Sequence, residues 1–171
     1  MQQLVFLLRA VNVGGTGKLP MAELRTMAEA CGLRDARTYI ASGNLVARVD
    51  GAPEVARAAL EARLADYAGK PVSVLMRTGG EMAAVLADNP FPDADPRRLL
   101  AVFLDAPPPQ DALESVSGRT SEEIALGRRE IYVNYGDAMT GRSTLKIPAA
   151  TAGTARNMNT VAKLAEMAGK T

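Results

Sequence analysis

The chain has 171 residues, of which 47% are hydrophobic and 23% charged, with a formal net charge of +1. This is the composition of a globular protein with a real core, not of a disordered or fibrous one. Zero histidines and a single cysteine, Cys31, exclude Ser-His-Asp and Cys-His catalysis, histidine-ligated zinc and an intrachain disulfide, leaving carboxylate, lysine, tyrosine or backbone chemistry.

No apolar run nears the roughly 20 residues that span a bilayer. The N-terminal apolar segment is short, lacks a basic leader and runs straight into Arg9, so a cytoplasmic protein without a membrane partner is expected. The net charge is unevenly spread: +3 over residues 1–80, −6 over 81–127 and +4 over 128–171. Two basic segments flank an acidic middle, which serves solubility and mutual packing or draws an anionic ligand to the basic parts.

Leu4 to Leu8 is continuously apolar, which suits a central strand covered on both faces or a half-buried one whose outer face meets a second layer. The loop Asn12-Val13-Gly14-Gly15-Thr16-Gly17-Lys18 follows, and Pro20 opens a helix over 20–31 in which Met21, Leu24, Met27, Ala28 and Cys31 share one face. Ala36 to Ala41 and Leu45 to Val49 read as antiparallel strands punctuated by Ser42-Gly43-Asn44. A second helix spans 52–68 with Ala56, Leu60, Leu64 and Tyr67 inward, and Val72 to Met76 is the next strand. The order βαββαβ is the ferredoxin-like pattern of an antiparallel sheet with helices on one face.

Thr78-Gly79-Gly80-Glu81 is a capping-box signature for a helix ending before Asn89. Residues 89–98, rich in proline and aspartate, read as a linker between a first half, 1–88, and a second, 99–171. Beyond it come a strand over 99–104, a short helix around 110–116 and strands over 121–126 and 130–135, which is βαββ again. The expected fold is therefore α+β, two ferredoxin-like halves with antiparallel sheets. The stretch Thr154 to Thr160 opens a terminal helix, capped by Asn157 or Asn159, whose apolar face docks back onto a sheet.

The glycine loop is not a Walker loop: Asn12 stands where the first glycine belongs and Leu19 where the metal-binding hydroxyl belongs. A glycine-rich turn beside a helix N-terminus can still hold an anion through backbone N–H groups, and it can equally be a plain strand-to-helix connection. Arg9 closes the first strand, and Ser42 and Asn44 lie near the same sheet edge, where turn formation alone also explains them. Arg142, Lys146, Arg156 and Asn157 form a second polar cluster. The candidate ligand-binding set is Arg9, Asn12, Gly14, Gly15, Lys18, Ser42, Asn44, Arg142, Lys146, Arg156 and Asn157. No catalytic residue is identified and no metal-ligand spacing stands out.

LLRAVNVGGTGKLPMAEL, RTYIASGN, NPF, GRSTLK and TARNMNTVAKL, in this order, resemble the domain-of-unknown-function family 1697, uncharacterised bacterial proteins. The resemblance covers nearly the whole chain and implies a two-part α+β fold with ferredoxin-like halves; it implies no activity. The chain departs from the family pattern at Ala10, where a glycine is common, and at Met158, where a tryptophan is expected. The segment between Leu145 and Thr154 is also short.

Together these residues are expected to bind a phosphate-bearing or other anionic small molecule, a nucleotide among them, between the two halves; the cofactor is left unspecified. Two alternatives stand beside this: a histidine-independent transferase or hydrolase, and a nucleic-acid-binding module that uses Tyr39, Tyr132 and Tyr135 on a sheet face. Aromatic residues are only 4% of the chain, which favours packing for these tyrosines.

Overall fold

The structure is a computed structural model and describes residues 2–9, 18–137 and 143–169. Its elements are β1 (Gln2–Leu8), α1 (Met21–Ala30), β2 (Arg34–Thr38), β3 (Asn44–Val49), α2 (Pro53–Ala68), β4 (Val74–Thr78), α3 (Gly79–Ala87), β5 (Leu99–Phe103), β6 (Glu123–Leu126), β7 (Glu130–Asn134), β8 (Thr154–Asn157) and α4 (Met158–Gly169), with 3₁₀ helices at Ala112–Ser115 and Pro148–Ala150. They form an α+β protein with two four-stranded antiparallel sheets, ordered β2-β3-β1-β4 and β6-β7-β5-β8. Each sheet has the ferredoxin-like order, in which the first strand lies between the third and the fourth.

The chain divides into two compact units, Met1–Met82 with Leu164–Thr171, and Ala83–Lys163. In the first, β1 is central and Leu4 to Leu8 are all buried, as a continuously apolar strand must be. Leu4, Phe6 and Leu8 pack on Leu24, Met27 and Ala28 of α1 and on Leu60 and Leu64 of α2. Cys31 packs at the margin of this core, and burial pushes its thiol up. Tyr67, expected inward, is instead 48% exposed: it lies in the last turn of α2, where Gly69 at φ +70 reverses the chain and the sheet no longer covers it. The last turn of α4 is tied to this unit by Arg37, whose Nη2 donates to Met167 O and to Gln3 Oε1. A cation there complements the carbonyl end of the helix.

Thr78 and Glu81 form the expected capping box: Thr78 N–H donates to Glu81 Oε1 at 2.8 Å and Glu81 N–H to Thr78 Oγ1 at 3.0 Å. Several strand boundaries differ from the sequence reading, three of them with a clear physical reason. β2 stops at Thr38 because Asn44, fully buried, donates from Nδ2 to Tyr39 O and Ser42 Oγ and converts residues 39–43 into a turn. β4 runs on through Arg77, which is buried, a position that hydrophobic patterning alone does not award to a strand. Thr154–Asn157, read as the approach to the terminal helix, is strand β8 paired with β5; α4 begins after it, capped by Asn157 Oδ1, which accepts from Thr160 N–H at 2.9 Å.

In the second unit, Val102, Leu104, Ile131 and Val133 form a core face that no long helix among the described residues covers. Leu145, Ile147, Ala149 and Ala150 pack on it instead. This strap is held by the Ser117–Lys146 bridge and by Glu122, whose buried carboxylate accepts from Thr120 N–H and Ser143 Oγ. The short helix expected around 110–116 is a single 3₁₀ stretch.

Candidate functional site

Register fixes what meets at one end of the first sheet. Leu7 pairs with Asn44, Leu8 with Val74, and Thr38 with Leu45. The end of β1, the β2–β3 turn, the start of β4 and, by chain connection, the start of α1 and the end of α2 therefore share that end. Leu8 N–H donates to Gly43 O and Arg9 N–H to Ser73 O, both at 2.9 Å. Arg9 is thereby held between the Ser42-Gly43-Asn44 turn and the α2–β4 connection. Tyr67 Oη donates to Lys18 O at 3.3 Å, joining the last turn of α2 to the residue just ahead of α1.

This end carries both signs of charge: Glu61 Oε2 accepts from Val74 N–H at 3.1 Å at the start of β4, and Glu23 lies in the first turn of α1, while the connections themselves are basic. The three connections, residues 9–20, 39–43 and 69–73, contain Arg9, Lys18 and Lys70 and no aspartate or glutamate. Clustered cations without intervening carboxylates raise the local concentration of anions. Pro20 is the N-cap of α1 and supplies no side-chain acceptor, and Glu23 in the first turn supplies a negative charge that this helix start favours. Ile40, in the turn, is 51% exposed and has φ +48. A β-branched residue in the left-handed region is a true outlier, and such outliers gather at ligand sites and switches.

Arg9, Ser42 and Asn44 are thus neighbours, and Lys18 is joined to the same end. Asn44 is committed to the turn by its two side-chain bonds, whereas Ser42 is exposed. Asn12, Gly14, Gly15 and Arg142 lie outside the described residues. Within the second unit the remaining three do not gather. Lys146 is exposed on the strap against the Val102 and Ile131 face, whereas Arg156 pairs with Ala101 and so points to the opposite face. Arg156 is buried, donates to Thr154 Oγ1 and Ala155 O, and is pushed down to about 10 by desolvation. Asn157 is the cap of α4. Lys70, Tyr67 and Ile40 were not anticipated; the run of connections without carboxylates is the sequence signal that points to the first.

Other features carry less chemistry. A cavity of about 460 Å³ opens at the opposite end of the first unit, with Gln3, Arg48, Thr78 and Ala168 in its lining, but Arg48 is already ion-paired to Asp35 at 3.3 Å. Ser143 Oγ donates to Glu122 at 3.0 Å. Hydrogen bonds, chiefly from the Thr120 N–H, hold that carboxyl below its usual range, which suits an anchor and not a general base. Tyr132 is buried and donates to Val85 O at 2.7 Å, while Tyr135 packs on the strap-covered core; neither ring is placed for stacking on a nucleic acid. Among the described residues there is no cluster of acidic and cysteine side chains suited to a metal, and no helix long and apolar enough to cross a membrane.

Residues 1–132 match the family described as "Protein of unknown function (DUF1697)". The chain belongs to this family. The sequence matches no curated protein. Among solved structures it is similar to the conserved bacterial protein SP0830 from Streptococcus pneumoniae, at 25% identity over 98% of each chain and a TM-score of 0.79. This similarity carries the two-sheet α+β architecture past residue 132 to the α4 end of the family member described here.

Proposed function

We propose that this is a cytoplasmic protein that holds a phosphate-bearing or other anionic small ligand at the Arg9 end of its first sheet. The reading is supported by one observation: strand register sets the chain segments that carry Arg9, Lys18 and Lys70 at the same end of the first sheet, and those segments hold no aspartate or glutamate of their own. Arg9 supplies a planar fork for a bidentate contact with phosphate or carboxylate, the lysines supply point charges, and Ser42 offers a hydroxyl.

The test is calorimetric titration of the full chain with inorganic phosphate, pyrophosphate and tripolyphosphate. Affinity is expected to rise with anion charge, to weaken with added salt, and to fall at least tenfold in Arg9→Ala and in Lys18→Ala. Arg48→Ala, at the opposite end of the sheet, is expected to bind as the parent does. Absence of binding by all three anions, or equal loss in Arg48→Ala, would remove the assignment.

A further inference from the structure

The anion end also presents apolar surface. Among the described residues of the first unit the large hydrophobic side chains left exposed are Ile40, Val55 and Tyr67, and two of these three belong to the end that holds Arg9, Lys18 and Lys70. Val55 lies at the other end, in the first turn of α2. Tyr67 is in direct contact with the site through its hydroxyl, which donates to Lys18 O. With the hydroxyl held, the ring cannot swing freely, yet the residue is 48% exposed. Gly69, left-handed at φ +70, then sends the chain directly to Lys70. A half-exposed ring is therefore bonded to the backbone of one cationic residue of the site and lies three residues before another. Ile40 adds an exposed aliphatic side chain, held outward by a backbone conformation its type avoids.

Small-molecule sites are mostly apolar with a few well-placed polar groups. A bare phosphate needs only the cations and gains nothing from an ordered aromatic ring or an outward isoleucine. A ligand that joins a planar aromatic group to its anion uses both: the ring system stacks on Tyr67 while the phosphate meets Arg9, Lys18 and Lys70. We infer that the ligand class is a nucleotide, with Tyr67 as the stacking platform for the base and Ile40 as a second apolar contact. This rests on the anion reading given above and adds the aromatic part to it.

The experiment compares, on the full chain and by calorimetry, ATP and AMP with tripolyphosphate and ribose 5-phosphate, which carry matching anionic groups without a base. ATP is expected to bind roughly tenfold or more tightly than tripolyphosphate, and AMP than ribose 5-phosphate, as one base stacked on an aromatic ring provides. Tyr67→Leu is expected to erase that difference. Tyr67→Phe, which keeps the ring and loses only the bond to Lys18 O, is expected to retain it. Tyr67 is half exposed, so these variants keep the folded core; a thermal melt within a few degrees of the parent confirms it. Equal affinity for ATP and tripolyphosphate, or a difference that survives Tyr67→Leu, overturns the nucleotide assignment while the anion site stands. Failure of every compound to bind overturns both.

Discussion

Arg77 and Arg156 occupy the same position in the two sheets. Arg77 lies opposite Val5 on the central strand β1, and Arg156 opposite Ala101 on the central strand β5. Each is almost fully buried, and each donates through Nη1 to the carbonyl of the residue before it, Met76 or Ala155. Each also immediately precedes the residue whose side chain caps the next helix, Thr78 or Asn157. The two sheets thus share a local device as well as a strand order. Truncating either arginine leaves a large void and unsatisfied acceptors, so Arg77→Ala and Arg156→Ala are each expected to lose roughly 2–4 kcal/mol in urea unfolding. A loss under 1 kcal/mol in either would show that the position tolerates truncation.

Acid should loosen the second unit first at the strap. The Glu122 carboxyl lies below its ordinary value because it accepts hydrogen bonds from Thr120 N–H, Thr120 Oγ1 and Ser143 Oγ. Its folded value is depressed, so its contribution is complete above the unfolded value near 4.5 and is lost as pH falls through the folded value. Asp95, held at about 2 by Arg97, loses its solvent-screened contribution over the window from 3.8 down to about 2. Glu122→Gln is expected to flatten the acid limb of a stability-versus-pH curve below about pH 4.5, with Asp95→Asn acting over the window from 3.8 to about 2.

Gly118 has φ +69, and a Cβ there would collide with the Thr144 carbonyl that the strap carries past it. Gly118→Ala combines left-handed strain with a backbone clash and is expected to cost roughly 3 kcal/mol or more. Gly51, at φ +103 but in open space, isolates the conformational part, and Gly51→Ala should cost only about 1–2 kcal/mol. Paired thermal melts of the two variants separate clash from conformation.

Ile40 at φ +48 stores strain in the turn beside Arg9. Replacing it by glycine removes about 1–2 kcal/mol of left-handed penalty while adding up to about 1 kcal/mol of unfolded-chain entropy. Ile40→Gly is accordingly expected to raise stability slightly, by about 0.5–1 kcal/mol, and to weaken ATP binding. A variant both less stable and unchanged in binding would contradict the role given to this residue.

Most of the first unit is legible in the order of its residues. Leu4 to Leu8 are apolar without interruption and form a strand buried on both faces; α1 and α2 follow the helical recurrence of Leu24, Met27, Leu60 and Leu64; and the Thr78–Glu81 box forms as its spacing demands. The errors share one cause. Arg77 and Arg156 are strand residues, and Thr154–Asn157 is a strand at all, only because a neighbouring central strand supplies hydrogen-bond partners and the packed sheet accepts a guanidinium. Short polar strands have no periodicity of their own to announce them. Tyr67 erred the other way: helical spacing placed it inward, yet the sheet ends before it does.

The α+β class, the strand and helix order of the first half, the absence of histidine chemistry and the family all follow from the order of residues alone. Local propensity, capping and hydrophobic period act within a few residues of chain, so they can be read there. Only the tertiary structure decided which polar residues meet. Register set Arg9 beside the Ser42 turn and α2–β4 beside both, adding Lys70, Tyr67 and Ile40; it committed Asn44, Arg156 and Asn157 to internal bonds. The reason is that an antiparallel sheet gathers at one end connections that lie tens of residues apart, and no local pattern encodes that meeting.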